Sequence, residues 1–328
     1  PMRAIVYKEY GPPDVLQIGE VKKPEPGDND VLIKVRAAEA TKADCEFRSF
    51  HFPVKWFWLP LRIKTGILKP RRQILGGYFS GEVVFVGRSV SKFKKGDSVF
   101  GCAGLRLGTY GEYVSLPANY TIVPKPHNLT FEAAAAVPLG GLNALHFLNK
   151  ANIQKGEKIL INGAGGSIGT FGVQIAKVMG GEVTAVDSGI KEAILRKIGA
   201  DHFFDYTRED VTQSGLSYDV IFNMVAGSSY TNFVKILNPG GRYMMSNPRL
   251  SDMLRSVMTS WFTDKKSIFA LAGEKETELL YLKKMIDEGK LCPIIDKVYP
   301  MSQAPEAHQR VETEQRLGIV VISMCNSQ

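Results

Sequence analysis

An apolar run that leads into a glycine-rich turn constrains the fold of this 328-residue chain more than any other feature. The run is KILING at 158–163, and the turn continues as AGGSIG at 164–169 into a helix pattern that extends to about Met179. A second apolar run, EVTAVD at 182–187, starts an alternation of strand and helix patterns that continues to Ser246. Apolar strands that alternate with helices predict a parallel, doubly wound sheet.

The turn has the spacing A-x-G-x-x-G at Ala164, Gly166 and Gly169. A small first residue permits the tight turn, Gly166 lets the backbone approach a pyrophosphate, and Gly169 lets the helix pack closely on the sheet. The start of a helix also offers N–H groups and a partial positive charge to phosphates. We therefore predict that a dinucleotide binds at Ala164, Gly165, Gly166, Ser167, Ile168 and Gly169.

The residues after the second apolar run favour NADPH over NADH. Asp187 lies 18 residues after Gly169, where an acid would accept hydrogen bonds from a ribose 2′-OH and favour NAD. Ser188 and Lys191 follow at once, and Tyr206 ends the third strand pattern; a hydroxyl and an ammonium suit a 2′-phosphate. Asp187 then either turns away or pairs with Lys191. NADH stays open as the alternative.

The first part of the chain predicts an irregular β-rich domain. Short strand patterns lie at 3–7, 30–37, 81–86 and 113–116, with Pro and Gly between them. Helix patterns follow at 131–136, with Thr130 as N-cap, at 142–150 and at 274–288. The tail, with a helix at 304–314 and a strand at 318–324, is placed with the first domain. The predicted domains are 1–125 with 296–328, and 126–295.

Composition limits the partners. Hydrophobic residues make up 44% and charged residues 23%, as in ordinary globular proteins. A net charge of +8 is compatible with nucleic acid, an acidic membrane surface or a phosphorylated small molecule. The positive residues are spread along the chain, and the run at 64–72 has only four of them, so a nucleic acid partner stays a minor alternative. No stretch reaches the roughly 18 apolar residues of a membrane span, and no signal-peptide pattern is present, so we expect no membrane partner and a cytoplasmic location.

Several segments together resemble the medium-chain dehydrogenase/reductase superfamily, and most closely its zinc-independent quinone oxidoreductase-like branch. They are the opening at 2–16, ILGGYFSGEV at 74–83, FKKGDSVFG at 93–101, AAAVPLGGLNA at 134–144, the cofactor turn and helix at 158–177, IGAD at 198–201 and NPGGR at 238–242. The resemblance implies an α/β protein with a GroES-like catalytic domain and a Rossmann domain, and it implies a homodimer. In members that select the phosphate, a Lys and a Tyr occupy the positions of Lys191 and Tyr206.

The residues that bind zinc in other branches are missing. Thr41 stands where zinc-using relatives have a Cys, and Gly77-Tyr78 stands where they have a His-Glu pair. The four cysteines, Cys45, Cys102, Cys292 and Cys325, form no cluster for structural zinc, and we expect them to be reduced thiols. The sequence therefore predicts an enzyme that works without zinc.

Without a metal, hydrogen bonds must polarise the carbonyl of the acceptor. The candidates are Thr41, Asp44 and Tyr78. A polar turn explains Thr41 and Asp44 equally well, and a packed aromatic residue explains Tyr78. On the cofactor side, the resemblance implies that Gly140 and Asn143 face the nicotinamide. The ends of two later strands add Val225, Ala226, Ser246 and Asn247, because ligands bind at the carboxyl edge of such sheets.

The function predicted from these features is NADPH-dependent hydride transfer to a small molecule, either a quinone or an activated alkene or carbonyl. An NAD(P)-dependent alcohol or aldehyde dehydrogenase is the first alternative. A nucleotide-binding protein without enzymatic activity, such as a redox-sensing partner or an RNA binder, is the second. The aromatic segment at 50–68 either forms a lid over an apolar substrate or packs on its own domain or a dimer partner.

Overall fold

The computed structural model describes residues 1–246, 250–268 and 273–325. The strands are β1 Met2–Val6, β2 Gln17–Val21, β3 Asp30–Ala40, β4 Tyr78–Val86, β5 Ser98–Cys102, β6 Tyr113–Pro117, β7 Ile122–Pro124, β8 Lys158–Asn162, β9 Glu182–Asp187, β10 His202–Asp205, β11 Tyr218–Asn223, β12 Leu237–Met245, β13 Lys266–Ile268, β14 Ile295–Pro300 and β15 Ile319–Ser323. The α-helices are α1 Lys42–Ser49, α2 Trp58–Thr65, α3 Phe131–Ala135, α4 Pro138–Ala151, α5 Ser167–Val178, α6 Glu192–Lys197, α7 Tyr230–Lys235, α8 Leu250–Phe262, α9 Glu276–Asp287 and α10 Ala304–Glu312.

These elements divide into two compact units. The first contains Pro1–Phe52, Trp58–Leu139 and Glu274–Gln328, and the second contains Pro53–Phe57 and Gly140–Gly273. This grouping differs from the predicted domains at α3 and at α9, which pack on strands of the first unit, α3 on β3 and β4 and α9 on β7. The boundaries at 125/126 and 295/296 stay a prediction.

The first unit is β-rich. Its main sheet has the order β14-β15-β3-β4-β5-β7, with β6 paired to β3, and β1 and β2 form a separate antiparallel pair. Within the main sheet, β14 and β15 are parallel, and the other pairs are antiparallel. The core includes Ile33, Phe79 and Val320, and α10 covers it with Ala307 and Val311.

The second unit is a parallel sheet with the order β10-β9-β8-β11-β12-β13. Its central strands are buried along nearly their whole length, as the apolar runs predicted. The chain leaves β8 towards β9 on one side and later adds β11 on the other side, so the strand order reverses between β8 and β11. Ligands bind such sheets outside the carboxyl ends of the strands at this point. The predicted α/β fold class is confirmed.

Most element bounds lie close to those expected. The side chain of Thr130 caps α3 by accepting a hydrogen bond from the N–H of Ala133, as predicted. Helix α4 begins earlier than expected, at Pro138, because proline is tolerated in the first turn of a helix. Helices α2 and α8 were not predicted. In the part of the chain that is described, no helix has both the length and the apolar character to cross a membrane.

Candidate active site

The glycine-rich turn joins β8 to α5 in the second unit. Gly163 has φ 84°, a conformation that side chains with a Cβ rarely adopt. A Cβ on Gly169 would lie 2.5 Å from the carbonyl carbon of Ala164 and 2.6 Å from its Cα, so only glycine lets α5 approach the turn this closely. Among the described residues, no side chain caps the start of α5 at Gly166. The turn therefore has the backbone shape and the amide-lined helix end that suit a phosphate.

Two residues predicted for the cofactor site, Gly140 and Asn143, lie on α4 at the start of the second unit. A Cβ on Gly140 would lie 2.7 Å from the carbonyl carbon of Ser167, which places the first turn of α4 directly against the start of α5. Asn143 lies one turn further along α4 and is half-buried. Gly140 and Ser167 are thus brought together, as a site at the start of α5 requires.

Asp187, at the end of β9, connects the turn to the residues after it. Its Oδ2 accepts a hydrogen bond from the N–H of Gly165 at 2.8 Å, and its Oδ1 accepts one from the N–H of Ser188 at 2.7 Å. The Nζ of Lys191 lies 3.2 Å from the same Oδ1. The pairing of Asp187 with Lys191, one of two alternatives left open by the sequence, is the arrangement found.

Lys191 lies beside the turn instead of extending into solvent. Its side chain is only 3% exposed. A Cβ on Gly165 would collide with the Cδ of Lys191 and would lie 2.9 Å from the Oδ2 of Asp187. The lysine stem therefore needs the absence of a side chain at Gly165.

Tyr206 lies next to Asp187 because β10, which it follows, pairs with β9 in the sheet. Asp205 and Asp187 are partners in the parallel register of β10 and β9, and the N–H of Tyr206 donates to the carbonyl of Asp187 at 3.2 Å. The Tyr206 side chain is 61% exposed. Tyr206 and Lys191 are thus both anchored to Asp187, one through the backbone and one through the side chain.

A buried amide network holds the carboxyl edge between β8 and β11. The Nδ2 of Asn162 donates to the Oδ1 of Asn223 at 2.9 Å, and the Nδ2 of Asn223 donates to the hydroxyl of Tyr243 at 2.9 Å. The same Oδ1 accepts from the N–H of Val225 at 3.1 Å. The sequence reasoning missed Asn223 and Tyr243, although an Asn at the end of two neighbouring parallel strands was a usable signal.

The remaining predicted residues at this edge follow that network. Val225 is partly exposed and lies against Gly163, where a Cβ would be 3.1 Å from its Cγ2. Ala226 is half-buried, and the N–H of Ser246 donates to the carbonyl of Asn223 at 3.2 Å. Asn247 lies outside the described residues.

In the first unit, Thr41 and Asp44 form a reciprocal cap at the start of α1. The Thr41 hydroxyl donates to the Oδ2 of Asp44 at 2.8 Å and accepts from the N–H of Asp44 at 3.1 Å. The Oδ1 of Asp44 accepts from the N–H of Gly76 at 3.1 Å. Burial raises the pKa of Asp44, and the hydrogen bonds from Thr41 and Tyr110 oppose that rise. This pair therefore fixes the segment that leads into β4.

A buried network of hydrogen-bonded side chains extends from Asp44 and was not predicted. The Tyr110 hydroxyl donates to the Oδ2 of Asp44 at 3.0 Å and lies 3.0 Å from the Nε2 of His308, while the NH1 of Arg48 lies 2.8 Å from the Nδ1 of His308. A guanidinium only donates, so Nδ1 is the acceptor and Nε2–H donates to Tyr110. Burial, followed by the charge of Arg48, lowers the pKa of His308 to about 3. The imidazole is therefore neutral. The one indication of His308 in the sequence was its position on the face of helix α10 that is buried.

Tyr78, at the start of β4, donates its hydroxyl hydrogen to the Oε1 of Glu274 at 2.9 Å. Burial raises the pKa of Tyr78 strongly, and the charge of Glu274 adds to the rise. The phenol therefore stays protonated throughout the physiological pH range, and its one hydrogen is donated to Glu274. Glu274 was not predicted.

The aromatic segment packs partly on its own unit. Phe50 contacts Tyr10, Phe52 and Trp58 edge to face, with ring centroids 5.2, 5.1 and 5.5 Å away. Phe50 and Phe52 are buried. This packing is one of the alternatives left open by the sequence.

Metal ligands do not gather in the part of the chain that the structure describes. Within those residues, no group of three or more His, Cys, Asp or Glu side chains is arranged to hold a metal ion. Thr41 and Tyr78, which the resemblance places where zinc-using relatives have ligands, are engaged with Asp44 and Glu274.

Comparisons with known proteins cover both units. A family model described as "Alcohol dehydrogenase GroES-like domain" matches residues 27–127, and one described as "Zinc-binding dehydrogenase" matches residues 198–322. NAD(P)H oxidoreductase RTN4IP1, mitochondrial, from Mus musculus is 31% identical over 363 residues, covering 98% of this chain and 89% of that protein. Quinone oxidoreductase from Sus scrofa is 32% identical over 327 residues, covering 94% of each.

Among solved structures, the quinone oxidoreductase from Coxiella burnetii superposes with a TM-score of 0.86 at 30% identity, and the match covers 98% of this chain and 99% of that one. The likeness therefore extends over the whole architecture and is not limited to the nucleotide-binding turn. The expected GroES-like character of the β-rich unit is confirmed.

Proposed function

The chain belongs to the medium-chain dehydrogenase/reductase superfamily as a quinone oxidoreductase-like member and is an NAD(P)H-dependent oxidoreductase, and from this we propose that it uses NADPH, without zinc, to reduce a quinone or an activated alkene or carbonyl. A bound nicotinamide supplies the hydride in such enzymes, and the protein supplies binding, orientation and hydrogen bonds. A homodimer and a small-molecule acceptor are parts of the same proposal.

The observation that carries the NADPH preference is the state of Asp187. Both of its carboxylate oxygens already accept hydrogen bonds from backbone N–H groups, and Oδ1 also faces the ammonium of Lys191. With three donors already on it, this carboxylate has little acceptor capacity left for the 2′-OH of NADH. The neighbouring ammonium and the exposed phenol of Tyr206 are suitable donors to a 2′-phosphate.

The turn residues fit a dinucleotide. Gly163, Gly165 and Gly169 keep side chains out of the bend, and among the described residues no side chain caps the first N–H groups of α5. We propose that Ala164 through Gly169 bind the pyrophosphate. Gly140, Asn143, Val225, Ala226, Ser246 and Asn247 are proposed to form the rest of the cofactor site.

On the β-rich unit, we propose that Tyr78 becomes the hydrogen-bond donor to the acceptor when its hydroxyl turns from Glu274 to the acceptor oxygen. Its phenol is protonated at neutral pH, and without an acceptor its one hydrogen is donated to Glu274. Thr41 and Asp44 are positioning residues in this proposal. The Thr41 hydroxyl spends its hydrogen on Asp44, and Asp44 holds Gly76 two residues before Tyr78.

The experiment that tests this function is an acceptor assay on metal-free protein. After dialysis against a chelator, NADPH oxidation is followed with a quinone and with an α,β-unsaturated aldehyde, and NADP⁺ reduction is followed with a series of alcohols. Turnover of the first two acceptors with no measurable zinc supports the proposal. Activity that appears only with alcohols and added zinc would instead establish the dehydrogenase alternative, and nucleotide binding without any turnover would establish the non-enzymatic one.

A further inference from the structure

Helix α2 in the first unit has an inverted polarity. A surface helix normally turns its apolar side chains inward and its cations to solvent. Here the guanidinium of Arg62 lies on the inner face, 3.9 Å above the ring of Tyr10 and 4.8 Å from that of Phe50. Its Nε also donates to the carbonyl of Ile67 at 2.9 Å. The cation is therefore used to attach the helix to the aromatic cluster beneath it.

The outer face of α2 and the loop after it are apolar instead. Leu59 and Ile63, one helical turn apart, are 62% and 50% exposed. The loop folds back on the end of the helix, where the N–H of Arg71 donates to the carbonyl of Thr65 at 2.9 Å. On this loop, Ile67 is 60% exposed and Leu68 is 92% exposed. A leucine exposed to this degree projects from the surface and does not line a groove.

The chain segment that carries this apolar surface has charges of one sign. Residues 47–81 contain Lys and Arg but no Asp or Glu. Lys64, Lys69 and Arg71 are exposed beside the apolar residues. Arg72 is turned away and donates to the carbonyls of Leu105 and Arg106 at 2.7 and 2.6 Å. Cations that flank projecting apolar side chains are complementary to an anionic lipid surface, where the headgroups attract the ammonium groups and the interface accepts Leu and Ile.

We propose that the surface formed by Leu59, Ile63, Lys64, Ile67, Leu68 and Lys69 docks the protein peripherally on an anionic bilayer. The expectation of no membrane partner rested on the lack of an apolar span, and docking of this kind needs no span. The proposal does not depend on which acceptor or cofactor the enzyme uses. A partner protein fits this surface less well than a bilayer does. It would have to supply a groove complementary to Leu68, whereas a bilayer interface accepts a projecting leucine without one.

The test is co-sedimentation of the full-length protein with vesicles. One set consists of equal parts phosphatidylserine and phosphatidylcholine, and the other of phosphatidylcholine alone. We expect binding to the first set only, weakened by added salt because the charges are exposed. The double variant Ile67→Ser/Leu68→Ser and the double variant Lys64→Gln/Lys69→Gln should each lower the partition constant by about tenfold or more.

Matched controls separate this surface from general stickiness or charge. Leu216→Ser removes an apolar side chain that is 52% exposed elsewhere, and Lys94→Gln/Lys95→Gln makes the same charge change on another loop. Both controls should bind vesicles like the unaltered protein, and circular dichroism should confirm that every variant is folded.

Three results would overturn the proposal. One is no binding to the phosphatidylserine vesicles. The second is an equal loss of binding in the controls and the test variants. The third is a shift in oligomeric state of Ile67→Ser/Leu68→Ser in sedimentation velocity with vesicle binding unchanged, which would identify the surface as a contact between protein chains.

Discussion

Lys191 and Asp187 form a buried ion pair at the end of β9, with Nζ 3.2 Å from Oδ1 and the two side chains 3% and 10% exposed. The carboxylate also binds the turn through the N–H of Gly165. The pair therefore connects the bend proposed for the pyrophosphate to the residues proposed for the 2′-phosphate. A lysine held this way is pre-positioned, and a cofactor phosphate would add a second anion to an existing ammonium.

Lys191→Ala tests the role of that ammonium. Removing a charged hydrogen-bond donor should weaken NADPH binding by roughly ten- to a hundredfold, because such a bond contributes about 1.5–3 kcal/mol. NADH has no 2′-phosphate and should lose much less. The measurement is the Kd of each cofactor by fluorescence titration, with Lys235→Ala, a lysine on α7, as the control. Equal losses for NADPH and NADH would contradict the assignment.

Gly169→Ala tests the close approach of α5 to the turn. The new Cβ would collide with the backbone of Ala164, which cannot move without opening the bend, so we expect a loss of about 1–3 kcal/mol in the free energy of unfolding. Gly172→Ala is a control in the same helix. Its Cβ would meet only the Cδ1 of Ile161 at 3.5 Å, and alanine favours a helix by about 1 kcal/mol over glycine. Denaturant unfolding measures the free energy of unfolding of both variants. A Gly169→Ala variant as stable as the unaltered protein would contradict the packing argument.

The turn and the sheet were predictable because their determinants are local. Apolar runs of strand length, a glycine spacing and a following helix pattern all lie within 158–187, and the parallel sheet followed from their repetition. The cap of α3 at Thr130 was equally local. Short-range patterns of this kind do not depend on how distant segments meet.

The hydrogen-bonded network from Asp44 through Tyr110 to His308 could not be predicted in the same way. These residues come from the start of α1, the loop before β6 and helix α10, and only the folded sheet brings them together. The pairing of Tyr78 with Glu274 is of the same type, since the two residues are 196 positions apart. The outward apolar face of α2 also escaped prediction, because the sequence did not reveal that Arg62 stacks inward on Tyr10.

His308 should make stability depend on pH. The folded protein holds its pKa at about 3, whereas the unfolded chain takes up a proton below about pH 6.5. The stability that relies on neutral His308 is therefore present above pH 6.5 and is lost as the pH falls towards 3, by up to about 1.4 kcal/mol per pH unit.

His308→Gln removes this titration, so its free energy of unfolding should fall less steeply between about pH 6 and pH 4 than that of the unaltered protein. Urea unfolding at a series of pH values measures the slope. His202→Gln, at an exposed histidine 2.9 Å from Glu182, controls for the loss of a histidine elsewhere on the surface. A slope in His308→Gln identical to that of the unaltered protein would show that His308 titrates normally.

Tyr78→Phe tests the proposed donor. Loss of a hydrogen-bond donor to the reacting carbonyl should lower kcat by roughly a hundredfold, while the Kd of NADPH stays the same because the phenol is not part of the proposed cofactor site. Tyr113→Phe is the control, since the ring of Tyr113 stacks under Lys23 and its hydroxyl has no proposed role. Steady-state kinetics with a quinone distinguishes the two. An unchanged kcat in Tyr78→Phe would show that Tyr78 packs in the structure and does not donate a hydrogen bond to the acceptor.

The most direct test of the central claim, that the turn at 163–169 binds NADPH, is a fluorescence titration of the unaltered protein with NADPH and with NADH, repeated on Gly166→Val. We predict saturable binding with a lower Kd for NADPH than for NADH, and loss of both in folded Gly166→Val, whose side chain would occupy the space of the pyrophosphate. Tight NADPH binding by folded Gly166→Val, or a lower Kd for NADH in the unaltered protein, would contradict it.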